Sequence, residues 1–271
     1  MAVGKEIMLS GPPQEPVDIP DALMRFLDVE PYEFVWQNEI GGLTLRLGEG
    51  SSAVYVKWMP PTNGADLSGE VPRLTWAAAH TRVPEVVEYG SDEGGSWMVT
   101  RGIDAQNAVT PRWRGDPLTA TTALGRGLRA LHDTLPVESC PFDWSLGRRR
   151  AEVERRFARG YYDYHEFGWD LAGLSVAAAM KELRSPPDED LVVCHGDACA
   201  PNTLLDDEGN WTAHVDLGRL GVADRWADLA VAAWSAVWNY GPEWEDNVYR
   251  AYGYEPDLVK IRYYRLLWEL G

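Results

Sequence analysis

The chain has 271 residues, 45% of them hydrophobic and 25% charged, a profile that supplies a sizeable core and excludes a disordered chain. Its net charge of −17, from 42 acidic against 25 basic residues, argues against nucleic acid as a partner, because a phosphate backbone demands a basic face. No apolar run approaches the roughly 18–20 residues that span a bilayer, so no membrane partner is expected, whereas an acidic cleft would steer a cationic ligand inward.

In chain order, the opening segment through Pro16 has neither an apolar h-region nor a small-residue cleavage site. It is expected to be a frayed tail rather than a secretion signal. Phe34–Trp36 is a short apolar run. Leu43–Leu47 and Ala53–Trp58 read as longer strands, the second alternating apolar and polar, with Gly41-Gly42 and Gly48-Glu49-Gly50 as turn punctuation. A helix over Leu67–His80 and strands at Val86–Tyr89 and Trp97–Thr100 should follow. After Gly102-Ile103-Asp104 the pattern turns helical. Leu118–Leu131 repeats apolar residues at three and four, Arg148–Phe157 is heavily charged, Gly160–Trp169 is an aromatic and acidic loop, and Leu171–Leu183 is helical again. The strand Leu191–Cys194 runs directly into His195-Gly196-Asp197. Strands Thr203–Leu205 and Thr212–Val215 flank the turn Asp206–Asn210, and helices over Arg225–Trp238, Glu243–Ala251 and Asp257–Leu270 complete the chain.

A β-rich front and a helical back define an α+β class. Residues 1–102 are expected to form a small antiparallel β lobe with one helix. Residues 103–271 should form a larger, mainly helical lobe, with a cleft between the two. Cys140, Cys194 and Cys199 are odd in number and lack paired metal-ligand spacing, which fits a reducing, cytoplasmic compartment and leaves Cys199 a bystander thiol. A monomer or weak dimer is expected.

The chemistry resides in two short segments. His195-Gly196-Asp197-Ala198-Cys199-Ala200-Pro201-Asn202 follows an apolar strand with the spacing of a kinase catalytic loop, His-x-Asp and then Asn five residues later. Val215-Asp216-Leu217-Gly218 again sets an Asp after an apolar strand, with Gly two residues on. Phosphoryl transfer needs a carboxylate to orient the attacking hydroxyl, oxygen ligands for magnesium and a cation on the nucleotide phosphates. Asp197 is the candidate for the first role, and Asp216 with Asn202 for the second. Lys57, near the end of an alternating strand, is the candidate phosphate cation. Glu70 in the next helix is its expected partner, although Asp66 lies nearby. Met98 and Thr100 are placed with the nucleotide on the strand Trp97–Thr100. Gly41-Gly42 lacks the full Gly-x-Gly-x-x-Gly pattern, so it supports phosphate cradling only in part. His195 is expected to brace the loop.

His195–Asn202 and the stretch from Val215 through Asp216-Leu217-Gly218-Arg219 to Ala230 resemble the aminoglycoside O-phosphotransferases of the 3′ and 3″ types, above all the streptomycin 3″-phosphotransferases. Cys140-Pro141-Phe142 and Tyr263–Leu270 resemble features of the same family, so the likeness covers most of the chain and thins over residues 1–50. The resemblance implies a protein-kinase-like bilobal fold, ATP or GTP with Mg²⁺, and phosphorylation of an aminoglycoside hydroxyl. It also implies Arg219 near the reacting centre, where an ion pair beside a helix is an equal reading. By the same motif Asp224 caps the next helix and Asp228 is structural. For a polycationic substrate it implies Asp163 and Glu166 in the aromatic loop, and Glu269 in the tail. The chain departs from the 3′ type in carrying Trp268 where an acid precedes Glu269, and in having Gly271 rather than an aromatic residue at the position after Leu270. That departure favours a second reading, an enzyme of the same fold acting on another small alcohol. A nucleotide-binding module without catalysis is a third.

Overall fold

Alternating side chains decide the first sheet. Strand β3 (Val54–Met59) lies at its centre, between β2 (Leu43–Leu47) and β5 (Gly95–Arg101), with β1 (Tyr32–Gln37) and β4 (Val86–Asp92) at the edges. Every neighbouring pair is antiparallel. Residues directly opposite share a face. Val56 stands opposite Leu45 and Val99, whereas Lys57 stands opposite Thr44 and Met98. The Val56 face buries Leu43, Leu45, Leu47 and Trp58 around Leu23, which the single turn α1 (Asp21–Met24) contributes. The opposite face carries Lys57 beside Met98. Helix α2 (Glu70–Ala77) follows β3 and buries Glu70, Leu74 and Ala77.

This computed structural model describes residues 11–13, 15–28, 31–61, 66–162, 167–168 and 171–271. The chain separates into two compact units, Met1–Ala79 with Val83–Asp104, and His80–Arg82 with Ala105–Gly271.

In the second unit, α3 (Pro111–Arg114) leads to α4 (Pro117–Thr134), where Pro117 opens the helix and the Asp116 carboxylate accepts the Thr119 N–H. Helices α5 (Leu146–Ala158) and α6 (Val176–Glu182) start at Ser145 and Ser175, whose hydroxyls accept the Arg148 and Ala178 N–H groups. Helix α7 (Trp226–Tyr240) is apolar nearly all round, and Trp226–Ala236 is buried, as befits a helix at the middle of a core. Helices α8 (Glu245–Tyr252) and α9 (Leu258–Leu270) pack against it.

Two small sheets carry the catalytic candidates. The first pairs β7 (Leu191–Cys194) with β10 (Gly221–Asp224). The second, in the order β6-β8-β9, holds β6 (Gln106–Asn107), β8 (Thr203–Leu205) and β9 (Trp211–His214). Among the described residues no helix is long and apolar enough to cross a membrane.

The structure differs from expectation at several points. The first unit carries α1 beside its expected helix, and α3, β6 and β10 were not anticipated. The strand expected to run through Val215 stops at His214. Asp224 is not the cap residue of α7 but the last residue of β10. From there its carboxylate still accepts the Trp226 N–H at 2.7 Å, together with the Asp190 N–H and the Lys260 ammonium, each at 2.8 Å.

Candidate active site

Strand β7 is buried from Val192 to Cys194 and delivers the chain into a tight turn at His195-Gly196-Asp197. Gly196 has φ of 87°, and a methyl group there would overlap the backbone carbonyl of Arg219. Only glycine fits, on grounds of both conformation and space. His195 is fully buried. The Asp197 N–H donates to its Nδ1 at 3.2 Å, which leaves the Nε2 proton to donate to the Val215 carbonyl at 2.9 Å. As the sequence suggested, this imidazole braces the loop: it ties the turn at Asp197 to the residue just before Asp216.

Asn202 closes a 3₁₀ turn (Ala200–Asn202) immediately before β8. Its side-chain N–H donates to the Asp197 carbonyl at 2.9 Å. That commits the amide nitrogen to the loop and leaves the amide oxygen as the acceptor end of the side chain. The Asn202 carbonyl in turn accepts the Val215 N–H at 3.0 Å. Val215 is therefore held by both Asn202 and His195, so the next residue, Asp216, has a fixed origin beside Asp197 and Asn202. Asp216 has φ of 62°, the one non-glycine with positive φ among the described residues. Such backbone costs on the order of 1–3 kcal/mol and tends to collect at functional sites. Asp197, Asn202 and Asp216 are all half-buried. Hydrogen bonds through Val215 and the Asp197 carbonyl bring these residues together.

Beneath the turn lies a fully buried carboxylate, Asp228 in the first turn of α7. It accepts the His195 N–H at 2.5 Å, the Gly196 N–H at 2.8 Å and His132 Nε2 at 3.0 Å. Burial alone would raise its pKa. The His132 hydrogen bond, the two imidazoles and the Gly196 N–H reverse that, and the carboxyl is held below its ordinary range. The sequence motif marks Asp228 as structural, and here it is the anion that clamps the two amides preceding Asp197. His132 gave no sequence signal, because it lies 96 residues from its partner.

Cys199 donates its thiol to Asp197 Oδ1 at 3.2 Å. Burial, and then the Asp197 charge, push that thiol well above its ordinary range, so it contributes a weak hydrogen bond rather than a thiolate. Arg219 is exposed, with its guanidinium 5.8 Å from the Trp144 ring centroid, and its backbone packs on Gly196. Glu269 lies half-buried in the last turn of α9. Beside it Trp268 joins Trp234 and Trp238, with ring centroids 6.0 and 5.5 Å away. Asp163 and Glu166 lie outside the described residues.

In the sheet unit, Lys57 Nζ donates to Glu70 Oε2 at 2.8 Å, with the ammonium partly exposed and the carboxylate buried. Glu70, not Asp66, is the partner, and Asp66 instead accepts the Ser68 N–H. Met98 stands opposite Lys57, and Thr100 opposite Tyr55, on the same face. Both are buried.

A strand lysine paired to a helix glutamate in one unit, and Asp197, Asn202 and Asp216 on linked turns in the other, are the parts that a kinase-like phosphotransferase carries. The model of the phosphotransferase enzyme family matches residues 40–264. Aminoglycoside 3′-phosphotransferase of Streptomyces fradiae is 39% identical over 233 residues, covering 81% of this chain and 86% of that protein. Streptomycin 3″-kinase of Streptomyces griseus is 31% identical over 250 residues, covering 83% and 91%. The crystal structure of an aminoglycoside 3′-phosphotransferase of type VIII matches at a TM-score of 0.77 and 35% identity, over 93% of this chain and 98% of that one. An aminoglycoside phosphotransferase of Streptomyces rimosus in complex with ADP and streptomycin matches at 0.68 and 26%, over 92% and 98%. The chain belongs to the phosphotransferase enzyme family and has its kinase-like fold.

Proposed function

We propose that the protein transfers the γ-phosphoryl group of ATP to a 3′ or 3″ hydroxyl of an aminoglycoside, and so confers resistance to it. The observation that carries this reading is the Asn202–Asp197 hydrogen bond of 2.9 Å, with Val215 tied to both Asn202 and His195. It supports the reading because it ties the backbone of the proposed catalytic Asp197 to Asn202, and through Val215 to the residue before Asp216. Asp197 accepts the proton of the attacking hydroxyl as the new O–P bond forms. The bond from the γ-phosphorus to the bridging oxygen breaks, and ADP departs with that electron pair. Lys57, fixed by Glu70, holds the nucleotide phosphates, Met98 and Thr100 lie along the nucleotide, and Arg219 offers a cation to the transferring group.

The donor set fits Mg²⁺: a carboxylate at Asp216 and an amide oxygen at Asn202 are hard oxygen ligands, with no thiolate among them. Bound there, Mg²⁺ would neutralise phosphate charge. A polycationic substrate accords with the net charge of −17 and with the acids Asp163, Glu166 and Glu269. The three cysteines are free thiols, which goes with a reducing cytoplasm where ATP is at hand. Two relatives, one with each regiochemistry in its name, frame the choice of hydroxyl.

A second reading, phosphorylation of a flatter or less charged alcohol, is favoured by the indole cluster of Trp234, Trp238 and Trp268 next to Glu269. Both readings are tested by ADP release with ATP and Mg²⁺ over a panel of aminoglycosides and uncharged alcohols, with mass spectrometry of the product. Aminoglycoside-dependent ADP release with a phosphorylated product supports the first. Release with uncharged alcohols alone transfers the case to the second, and nucleotide binding without turnover on any acceptor overturns both.

A further inference from the structure

The catalytic turn is joined to the protein surface by one unbroken hydrogen-bond chain. On β10's far side, the Arg225 guanidinium donates to Asp190 Oδ2 at 2.6 Å through Nε and to the Tyr252 oxygen at 2.8 Å through Nη1. Tyr252 OH meets His132 Nδ1 at 2.7 Å, and His132 Nε2 meets Asp228 Oδ2 at 3.0 Å. Asp228 then holds the His195 and Gly196 amides. Asp190 is about half exposed, whereas the His132 and Asp228 side chains are wholly buried. The chain thus runs from solvent to core and ends one residue before Asp197.

Asp228 is acceptor-only, so His132 presents an N–H to it at Nε2. Arg225 can only donate, so the Tyr252 oxygen accepts from it, and the same hydroxyl is the partner of His132 Nδ1. Burial pushes the Tyr252 phenol above its ordinary value although Arg225 pulls it down, so the hydroxyl stays protonated. Each link orients the next, and in a core of low dielectric the links reinforce one another. His132 also packs edge-on to Tyr252, at 5.6 Å between centroids.

We propose that Tyr252 and His132 are positioning residues, which fix the Asp228 clamp and through it the backbone that aims Asp197. The inference rests on the phosphotransferase reading for its kinetic half only, since the geometry of the turn can be followed without any substrate. Neither residue touches the reacting atoms. Their loss should lower kcat far more than nucleotide affinity, because Lys57 and Glu70 lie in the other unit.

The test uses the full chain. Tyr252→Phe keeps the ring and removes the hydroxyl that joins His132 to Arg225, so it should fold. Amide hydrogen exchange at His195 and Gly196 is expected to quicken at least ten-fold in this variant, and kcat to fall roughly ten- to a hundred-fold with KM for ATP within about two-fold. Tyr249→Phe, which removes a neighbouring buried hydroxyl bonded to Glu245 at 3.1 Å, is the control for general loss of stability and should leave both readouts alone. His132→Gln offers an amide N–H in place of Nε2–H and should restore most of the protection that His132→Leu loses. Unchanged exchange at His195 and Gly196 in Tyr252→Phe, or equal effects from Tyr249→Phe, would overturn the proposal. If the wild type phosphorylates no acceptor, the functional reading fails while the exchange data still decide this one.

Discussion

His214, the last residue of β9, is a buried imidazole whose Nδ1 accepts the Trp211 indole N–H at 3.2 Å and whose ring stands edge-on to His195 at 5.5 Å. Burial, and then the neighbouring His195, hold its pKa well below 6.5. It is therefore uncharged in the folded state but takes a proton when unfolded below that value. Stability should be fully present above about pH 6.5 and fall as the pH drops, by at most about 1.4 kcal/mol per pH unit from this group. Urea unfolding between pH 7 and 5 reads the slope. His214→Asn should be less stable at pH 7 but show a shallower slope, and an equally steep slope in that variant would rule out His214 as the source. Lys57 sets a second expectation at this scale. Lys57→Ala should raise KM for ATP roughly ten- to a hundred-fold, with a smaller effect from Glu70→Gln, which keeps a neutral acceptor. Steady-state kinetics at fixed acceptor concentration would show it.

The turn between β7 and β8 and the segment around Asp216 act as one element. Replacing Gly196 by alanine forces a side chain into a left-handed residue whose Cβ position is taken by the Arg219 backbone. The expected cost is about 1–3 kcal/mol in unfolding free energy, with a loss of kcat larger than that of a glycine-to-alanine change on the surface. Wild-type kcat in that variant would show that the turn tolerates movement. The sequence revealed this element because its signal is local: His195, Asp197 and Asn202 fall within eight residues, and Asp216 follows an apolar strand. It was silent on β10, whose Gly221-Val222-Ala223-Asp224 is too small and too short to alternate. That segment is a strand because Val222 and Ala223 pair with Val193 and Val192 of β7. It was equally silent on His132, whose partners lie 96 and 120 residues away, since no local spacing encodes a contact made by packing α4 against α7 and α8. The sequence set Asp216 after an apolar strand but gave no sign of its left-handed backbone.

For the molecule as a whole, ligand binding to the native state alone must raise the melting temperature. ATP with Mg²⁺ should do so, and a cationic aminoglycoside should add to it, with the aminoglycoside increment shrinking as salt screens the acidic surface. Removal of Mg²⁺ with EDTA should abolish turnover and weaken the nucleotide shift. The claim on which the rest depends is that Asp197 is the proton acceptor in phosphoryl transfer. Single-turnover rates with ATP, Mg²⁺ and an aminoglycoside, wild type against Asp197→Asn, test it most directly. The variant is isosteric and should bind nucleotide with a Kd within about two-fold of wild type while its transfer rate falls roughly 10²- to 10⁴-fold. A transfer rate near that of the wild type would contradict the account.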